Sequence, residues 1–340
     1  MGSSTRTWRP RRITFPEDRP LLQSARTQFY GQCDGAYLDW LYGANPAGPL
    51  FSHLAVDGGV IAGQYIVIPV DMVRAGAPFK ATLSLDTFTH ESYRRQGIFV
   101  SLAEEVYRDA AAAGSRFTIG LPNENSHHGF VKNLKFSEPF GVSVLARPLG
   151  SVLLGRRLAR RLRVALHPLH HLSRAQVDTP STIPTAWIDR LWETRRPATT
   201  IGLAKTGAWF RWRFESNPRD TYRFVTAEVD GEPAGVLVWS LDRPDGSARA
   251  SATIVDVEAK SRRCTSVLVG ALLERLEGSV DVVRALATPR STLGRALLLS
   301  GFVPVRRLPF IVRMHGDDPA LQGMLNGAAW AVSGAYADWL

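Results

Sequence analysis

The chain has 340 residues, of which 45% are hydrophobic, so it can bury one large core or two ordinary ones. Single hydrophobic cores seldom grow past roughly 250 to 300 residues, and two domains are therefore expected. The formal net charge of +10 fits an anionic partner, such as a phosphorylated cofactor, a nucleic acid or an acidic membrane face, without choosing among them.

The N-terminal and apolar segments predict a soluble chain. The first 15 residues have no apolar core of the kind a signal peptide needs, and Arg6 stands where myristoylation requires Ser or Thr. The longest apolar stretch, residues 60–73, contains Gln64, Pro69 and Asp71 and is too short to span a bilayer. The two cysteines are far apart and outside any CxxC pattern, which indicates neither a disulfide framework nor a cysteine zinc site and favours a reducing compartment.

An internal repeat organises the chain. Three pairs of segments match in the same order: 37–46 with 209–218, 54–63 with 226–235, and 126–136 with 291–302. The first pair shares an aromatic residue, Trp and Asn-Pro, and the second shares an Asp-Gly pair typical of a hairpin turn. Strands and helices in this order predict an α/β or α+β layered domain that occurs twice.

A strand, a turn and a helix follow one another in the first copy. Residues 81–90 alternate, with Leu83 and Leu85 on one side and Asp86 on the other, which predicts a half-buried strand. From Ile98 onward apolar residues recur at helical spacing, so residues 94–97 (RRQG) are expected in the first turn of a helix. A helix N-terminus offers unpaired N–H groups to an anion, and the two arginines and the glycine predict a pyrophosphate site.

The same residues resemble the motif Arg/Gln-x-x-Gly-x-Gly/Ala of the Gcn5-related N-acetyltransferases, which binds the pyrophosphate of acetyl-coenzyme A. The matching cofactor-binding residues are Arg94, Arg95, Gln96, Gly97, Ile98 and Phe99, with Phe99 departing from the Gly or Ala of the motif. Residues 116–139 resemble the family's fifth strand, Asn-bearing loop, next helix and closing strand, which places Asn125 at a cofactor contact. The resemblance covers about residues 30–145 well and 205–313 weakly. It implies two tandem domains, each a mixed, mostly antiparallel sheet flanked by helices.

In the second copy, residues 259–276 take the place of this turn. Arg262 and Arg263 are retained, but no glycine stands in the turn. We therefore expect the second copy to bind coenzyme poorly or not at all, and to be structural or to form one wall of the acceptor site.

The resemblance implies attack of an amine on the thioester carbonyl of an acyl-coenzyme A co-substrate. The developing oxyanion would be met by a backbone N–H near Phe88 or Thr89, and the family's frequent tyrosine acid falls on Val131 and is absent.

Three kinds of residue are candidates for proton transfer. Asp86 is the first candidate base, because a carboxylate on a central strand has few structural reasons to be there. The alternative interpretation is that Asp86 bonds neighbouring backbone or an arginine. His90 and Glu91, at the end of the same strand, are further candidates. His127 and the adjacent His128 could act as acid or base, or form only a polar helix start.

Residues 151–174 lie between the copies and predict a basic amphipathic helix, with a leucine every fourth residue from Leu154 to Leu166 and no acidic residue. Two interpretations stay open: peripheral contact with an anionic membrane, or a linker helix that packs its leucines on a domain. The predicted domains are residues 1–150 (cofactor-binding), 151–180 (linker) and 181–340 (degenerate second copy). The histidines of this segment, His167, His170 and His171, lack a completing ligand, so no metal site is expected.

The sequence thus predicts a cytoplasmic tandem acyltransferase that moves an acyl group, in the simplest case acetyl, to an amine of a small molecule. An amino sugar or a cell-surface polysaccharide precursor is one acceptor class; an antibiotic, peptide or protein amine is equally compatible. The alternative is a non-catalytic module that uses the fold to bind acyl-coenzyme A or a partner. Nucleic acid is not an expected partner, because no aromatic residues interleave with the arginines of 151–174. No oligomeric state is predicted.

Overall fold

The computed structural model describes residues 7–149, 175–195, 200–243, 250–317, 319, 323 and 330–337. The chain divides into two compact units, the first built from residues 1–72, 77–139 and 310–325 and the second from 73–76, 140–309 and 326–340. This division follows contacts, whereas the predicted limits at residues 150 and 181 follow the sequence repeat and stay a prediction. The predicted basic helix at 151–174 lies outside the described residues.

The first unit contains the elements of the first copy. In chain order they are β1 (Arg9–Ile13), α1 (Arg19–Tyr30), α2 (Gly35–Leu38) with a π turn (Asp39–Gly43), β2 (Phe51–Asp57), β3 (Val60–Arg74), β4 (Ala77–Thr89), a 3-10 turn (Glu91–Tyr93), α3 (Ile98–Ala112), β5 (Phe117–Gly120), and α4 (Glu124–His128) with a π turn (Gly129–Asn133). The sheet order is β1-β2-β3-β4-β5, followed by the end of a strand from the second copy. β4 pairs with β5 in parallel, whereas β1 with β2, β2 with β3, and β5 with that strand of the second copy pair antiparallel.

The second unit contains the second copy. In chain order its elements are β6 (Ser137–Pro148), β7 (Ala175–Asp178), α5 (Thr185–Arg195), β8 (Ile201–Leu203), α6 (Gly207–Phe210) with a π turn (Arg211–Glu215), β9 (Tyr222–Val229), β10 (Glu232–Asp242), β11 (Ser251–Ala259), α7 (Arg262–Leu276), β12 (Val282–Ala287), α8 (Thr292–Leu299), β13 (Val303–Met314) and a 3-10 turn (Gly334–Tyr336). Two of these strands cross the limits of the unit: β6 belongs to it from residue 140 onward, and β13 belongs to it up to residue 309. The sheet order from β6 is β6-β12-β11-β10-β9-β7, and again one pair, β11 with β12, is parallel. The predicted fold class is confirmed.

The closing strands of the two copies are exchanged. β6, which ends the first copy in sequence, pairs antiparallel with β12 from Pro148 opposite Val282 to Ser143 opposite Ala287. The last residues of β13, 311–314, pair with β5 of the first copy. Periodicity and turn residues report which segments are strands and not which distant strand each one joins, so the sequence did not predict this exchange.

The duplication is visible in local detail. Helix and π turn recur at 35–43 and 207–215, an offset of 172 residues. In each following Asn-Pro the Asn side chain accepts from the main chain two residues on, with Asn45 bonding Ala47 N at 3.0 Å and Asn217 bonding Arg219 N at 2.9 Å. Both hairpin turns use residues of positive φ, Gly58-Gly59 and Asp230-Gly231. The Asx turn explains why Asn-Pro marks both copies.

The aromatic residues that mark the repeat are buried. Tyr37, Trp40 and Tyr42 in the first copy, and Trp209, Phe210, Trp212 and Phe214 in the second, are each at most 7% exposed. Tyr30, at 51% exposure, is the exception. Core packing therefore accounts for these clusters.

Among the described residues, no helix has the length and apolarity needed to cross a bilayer.

His315 is a buried titratable group of the first unit. Its Nδ1 lies 3.0 Å from the Ser115 carbonyl, which can only accept, so Nδ1 donates and Nε2 accepts from Thr118 Oγ1 at 2.8 Å. Burial lowers the pKa of His315 to about 4; the bond to Ser115 opposes this shift, and the charge of Arg313 adds to it. The folded protein therefore holds a neutral imidazole.

We predict that protonation of His315 weakens the fold in acid. Between pH values near 6.5 and 4, His315 is protonated in the unfolded chain but neutral in the folded chain. The free energy of unfolding therefore falls as the pH falls. Relative to His315→Gln, which cannot titrate, the wild type should lose about 2 kcal/mol between pH 7 and pH 4.5. Urea unfolding of both proteins at both pH values measures this. An equal loss in the two proteins would show that the imidazole is not responsible.

Candidate active site

A wedge opens between the two parallel strands of the first unit. β4 and β5 pair only at Thr82 with Thr118 and Leu83 with Ile119. Beyond that point β4 runs on to Thr89, whereas β5 ends at Gly120. α3 follows β4 and α4 follows β5, so both helices begin at the carboxyl ends of parallel strands, the edge at which open α/β sheets bind ligands.

The RRQG turn lies at this edge, before the helix and not in its first turn as predicted. α3 starts at Ile98, with Gly97 as its N-cap at φ 76°, and Arg95 also has a positive φ of 64°. These left-handed conformations cannot belong to a right-handed helix, which corrects the predicted boundary. A Cβ at Gly97 would meet no protein atom within 4 Å, so the main chain alone, and no neighbouring side chain, calls for glycine.

The electrostatics of the turn favour an anion. The first N–H groups of α3 lack intrahelical acceptors, and the helix dipole adds positive potential there. The Arg94 side chain is 63% exposed and only loosely paired with Glu91 at 3.5 Å. Gln96 reaches back to the Ser92 carbonyl at 3.5 Å. A helix N-terminus with exposed arginines is suited to phosphate groups.

Phe99, the departure from the family motif, is accommodated by a glycine elsewhere. Its ring packs edge-on to Phe130 and tilted to Tyr65, with centroids 5.5 and 5.7 Å apart. A Cβ at Gly129 would lie only 3.2 Å from the Phe99 ring. The Phe99 ring therefore has room because the residue that faces it, Gly129, has no side chain.

Asp86 breaks the alternation predicted for β4. Its φ is +48°, a left-handed conformation within a strand. Its side chain is 8% exposed and accepts hydrogen bonds from Arg26 of α1 and from the Tyr42 hydroxyl. Its main-chain carbonyl accepts from Gln64 Nε2 at 2.8 Å. The structure therefore places Asp86 in a buried ion pair, the arrangement that the alternative interpretation described.

Burial and charge fix the protonation of the partners of Asp86. Burial lowers the pKa of the Arg26 guanidinium, but the charge of Asp86, the neighbouring Tyr42 and Tyr37 and the hydrogen bond to Asp86 together outweigh it, so the pKa is raised. The pKa of Tyr42 is raised well above its usual value, first by burial and then by the Asp86 charge. Both groups thus remain proton donors to the carboxylate at physiological pH.

The second copy repeats this ion pair. Three contacts of the first copy have a counterpart in the second, and they align the copies here. The hydrogen bond from His90 N to Ala62 O matches that from Lys260 N to Ala234 O. Gly63 lies close to the Phe88 carbonyl and to Ile98, as Gly235 lies close to the Glu258 carbonyl and to Leu268. In this register Asp256 stands at the position of Asp86. Its carboxylate pairs with Lys205 Nζ at 2.7 Å, and Lys205 also reaches Glu258 at 2.7 Å.

The loop after β5 holds the other predicted residues. Asn123, not Asn125, caps α4 by accepting from Ser126 N at 3.0 Å, and Asn125 is exposed within the helix. His127 Nε2 lies 2.8 Å from Glu138 Oε2. Asn125 and His127 therefore both sit at the carboxyl end of β5. Val131, where the family has tyrosine, packs partly buried on the core of the unit.

The end of β4 is packed against α1. The Phe88 ring stacks on Phe29 with centroids 3.2 Å apart, and the neighbouring Thr89 is the last residue of the strand. His90 caps the 3-10 turn by accepting from Ser92 N at 3.2 Å. Phe88 and Thr89 thus border the wedge, and His90 has a capping role that leaves it less suited to be a base.

Residues 330–337 lie beside the wedge of the second copy. β11 pairs with β12 only from Ser251 to Ile254, yet it continues to Ala259. Residues 330–337 lie at the end of β12, where Ser333 bridges Ala287 and the main chains of Val332 and Thr288 bond at 3.1 Å. A cavity of about 420 Å³ remains, lined in part by Lys260, Arg262 and Ser333.

Sequence reasoning missed the cations of both ion pairs, Arg26 and Lys205. A signal was available: a carboxylate predicted on a buried strand implies a buried cation. The identity of that cation is not encoded nearby, because Arg26 is 60 residues from Asp86.

Among the described residues, no group of three or more potential ligands could hold a metal, and His167, His170 and His171 lie outside them.

Comparison with known proteins finds one matching domain model and several similar folds. Residues 31–136 match the acetyltransferase (GNAT) domain model. A probable N-acyltransferase of unknown function from Enterococcus faecalis is similar in structure over 91% of this chain and 73% of its own, with a TM-score of 0.66 and 12% identity. A GCN5-related N-acetyltransferase from Anabaena variabilis is similar to the same extent, with a TM-score of 0.66 and 12% identity over 91% of this chain and 73% of its own.

A third solved structure shows the tandem arrangement. A tandem GNAT protein from the clavulanic acid biosynthesis pathway is covered over 100% of its length and covers 91% of this chain, with a TM-score of 0.56 and 14% identity. No curated protein sequence matches significantly. At these identities the likeness concerns the fold, and it agrees with the two wedges and the repeated elements described above. Residues 31–136 thus match an acetyltransferase (GNAT) domain, and the fold of the chain is similar to that of a tandem GNAT protein.

Proposed function

We propose that the protein transfers an acyl group, in the simplest case acetyl, from acyl-coenzyme A to an amine of a small molecule. The observation that carries the proposal is the RRQG turn at the N-terminus of α3, beside the wedge between β4 and β5. Arg94, Arg95, Gln96 and the N–H groups of Gly97, Ile98 and Phe99 would hold the pyrophosphate, and Asn125 would contact the coenzyme from α4. A cytoplasmic location is part of the proposal, since neither cysteine takes part in a disulfide.

The reaction is attack of the amine nitrogen on the thioester carbonyl. The carbonyl oxygen gains negative charge, which a main-chain N–H near Phe88 or Thr89 would stabilise. The carbon–sulfur bond then breaks, the sulfur leaves as thiolate and takes up a proton, and the attacking nitrogen gives up one. Positioning of the two reactants contributes most where no strong acid is available, as with Val131 in place of tyrosine.

For the base, the geometry separates the two predicted residues. Asp86 already accepts from Arg26 and Tyr42, so we assign it to holding β4. His127 keeps one ring nitrogen on Glu138 and remains 35% exposed at the carboxyl end of β5. An imidazole oriented by a carboxylate is a suitable proton acceptor near neutral pH. We therefore propose His127 as the base and Glu138 as the group that orients it.

Release of the coenzyme thiol tests the proposal. Acetyl-coenzyme A would be incubated with the protein and, one at a time, with glucosamine, lysine, spermidine and an aminoglycoside, and the thiol measured by its colour reaction. We expect faster release with at least one amine and loss of that increase in His127→Ala. His128→Ala, at the exposed neighbouring histidine, is the matched control and should retain it.

A non-catalytic module is the second candidate, favoured by Val131 in place of the tyrosine acid and by the ion pair in which Asp86 takes part. It predicts saturable acetyl-coenzyme A binding with no thiol release above the rate without protein, whichever amine is added. Amine-dependent release would exclude it.

A further inference from the structure

We propose that Arg26 is a positioning residue for acyl transfer. It holds Asp86 in its left-handed conformation and thereby sets the direction of the main-chain N–H groups at the end of β4. The inference rests on the proposed function, because those N–H groups matter only if a thioester carbonyl lies against them.

Asp86 is held from three separate elements. Arg26 on α1 and Tyr42 in the π turn after α2 both donate to the same carboxylate oxygen, Oδ2. Gln64 on β3 donates to the Asp86 carbonyl. Because a peptide group is planar, fixing this carbonyl also fixes the N–H of the next residue, Thr87, on the opposite side. The three donors thus determine the orientation of the peptide that leads into Phe88 and Thr89.

Of the three donors to Asp86, Arg26 is the one with a charged side chain, and its surroundings restrict that side chain. Its side chain is 5% exposed, and its guanidinium lies over the rings of Tyr30 and Tyr37, 4.9 and 5.1 Å from their centroids. Stacking and the ion pair together restrict the guanidinium. A buried cation held in this way is able to keep a strand residue in a conformation that strands disfavour.

The second copy has the ion pair but not the left-handed strand residue. Asp256 keeps the position and a buried cation, Lys205, but among the described residues of β11 none has a positive φ. The second copy also lacks the glycine of the phosphate turn. An ion pair at this position therefore occurs in both copies, whereas the left-handed residue occurs in the copy with the phosphate turn. This contrast supports a role in the reaction beyond packing.

The test reads the carbonyl of bound acetyl-coenzyme A directly. Acetyl-coenzyme A labelled with ¹³C at the acetyl carbonyl would be added to the wild type, and the carbonyl resonance should move downfield because a hydrogen-bonded carbonyl is polarised. In Arg26→Met we expect the affinity for acetyl-coenzyme A to stay within about threefold, the downfield shift to be lost, and amine-dependent turnover to fall by about 10²-fold, the effect of losing an oxyanion donor. Arg26→Lys, which can still pair with Asp86, should recover part of both.

Lys205→Met is the matched control, since it removes the cation of the equivalent pair in the second copy. Per folded molecule it should leave the resonance and the turnover at wild-type values. An unchanged resonance in folded Arg26→Met overturns the inference and leaves the proposed function standing. If Arg26→Met does not fold, a wild-type resonance and turnover in Arg26→Lys overturn it. Absence of acetyl-coenzyme A binding by the wild type overturns the proposed function, and the inference falls with it.

Discussion

Gly97→Glu should abolish acetyl-coenzyme A binding, raising the dissociation constant at least 100-fold, which corresponds to about 2.7 kcal/mol. Two effects act in the same direction. Gly97 has φ 76°, which a glutamate adopts only with strain, so the turn that presents the first N–H groups of α3 would distort. The new carboxylate would also place a negative charge where the phosphates are expected, at the positive end of the helix.

Isothermal titration calorimetry at low and moderate salt measures the effect, and Gly114→Glu is the matched control. Gly114 also has a positive φ, 85°, and open space around it, but it follows the C-terminal end of α3. It should weaken the fold without weakening binding. Wild-type affinity should fall with added salt, because exposed arginines and phosphates are screened. Equal binding by wild type and Gly97→Glu would show that the coenzyme does not use this turn.

The sequence predicted the local part of this site because local rules govern it. The strand before the turn, the helix after it and the glycine follow from periodicity, capping and backbone sterics within residues 81–107. The errors were local too. The RRQG residues precede α3 and lie outside its first turn, because Arg95 and Gly97 have positive φ. The alternation of β4 fails at Asp86 for the same reason.

The part that the sequence did not predict depends on distant partners. Nothing near Asp86 indicates that Arg26 and Tyr42 would meet its carboxylate, since the three residues come from separate elements. The exchange of β6 and β13 is likewise a matter of pairing between distant strands. By contrast, the Asn-Pro and hairpin signals were sufficient to find the duplication, because each is a turn whose hydrogen bonds close within a few residues.

Lys205→Met should destabilise the second unit by about 3 to 5 kcal/mol, the usual cost of leaving a buried charge without its partner. The Lys205 side chain is 8% exposed and lies 2.7 Å from both Asp256 and Glu258. Removing its charge leaves two carboxylates, 4% and 13% exposed, without their cation. Urea unfolding gives the loss, and Arg108→Met, at an exposed pair with Glu105, should change stability by less than about 0.5 kcal/mol.

A compensated variant separates charge from packing. Replacing all three groups, with Lys205→Met, Asp256→Asn and Glu258→Gln together, removes the uncompensated charge and should recover most of the lost stability, because a neutral site no longer penalises burial. If the triple variant is as unstable as Lys205→Met, the lysine acts through its packing and not through its charge. If Lys205→Met lowers the free energy of unfolding by less than about 1 kcal/mol, the ion pair contributes little to the stability of the second unit.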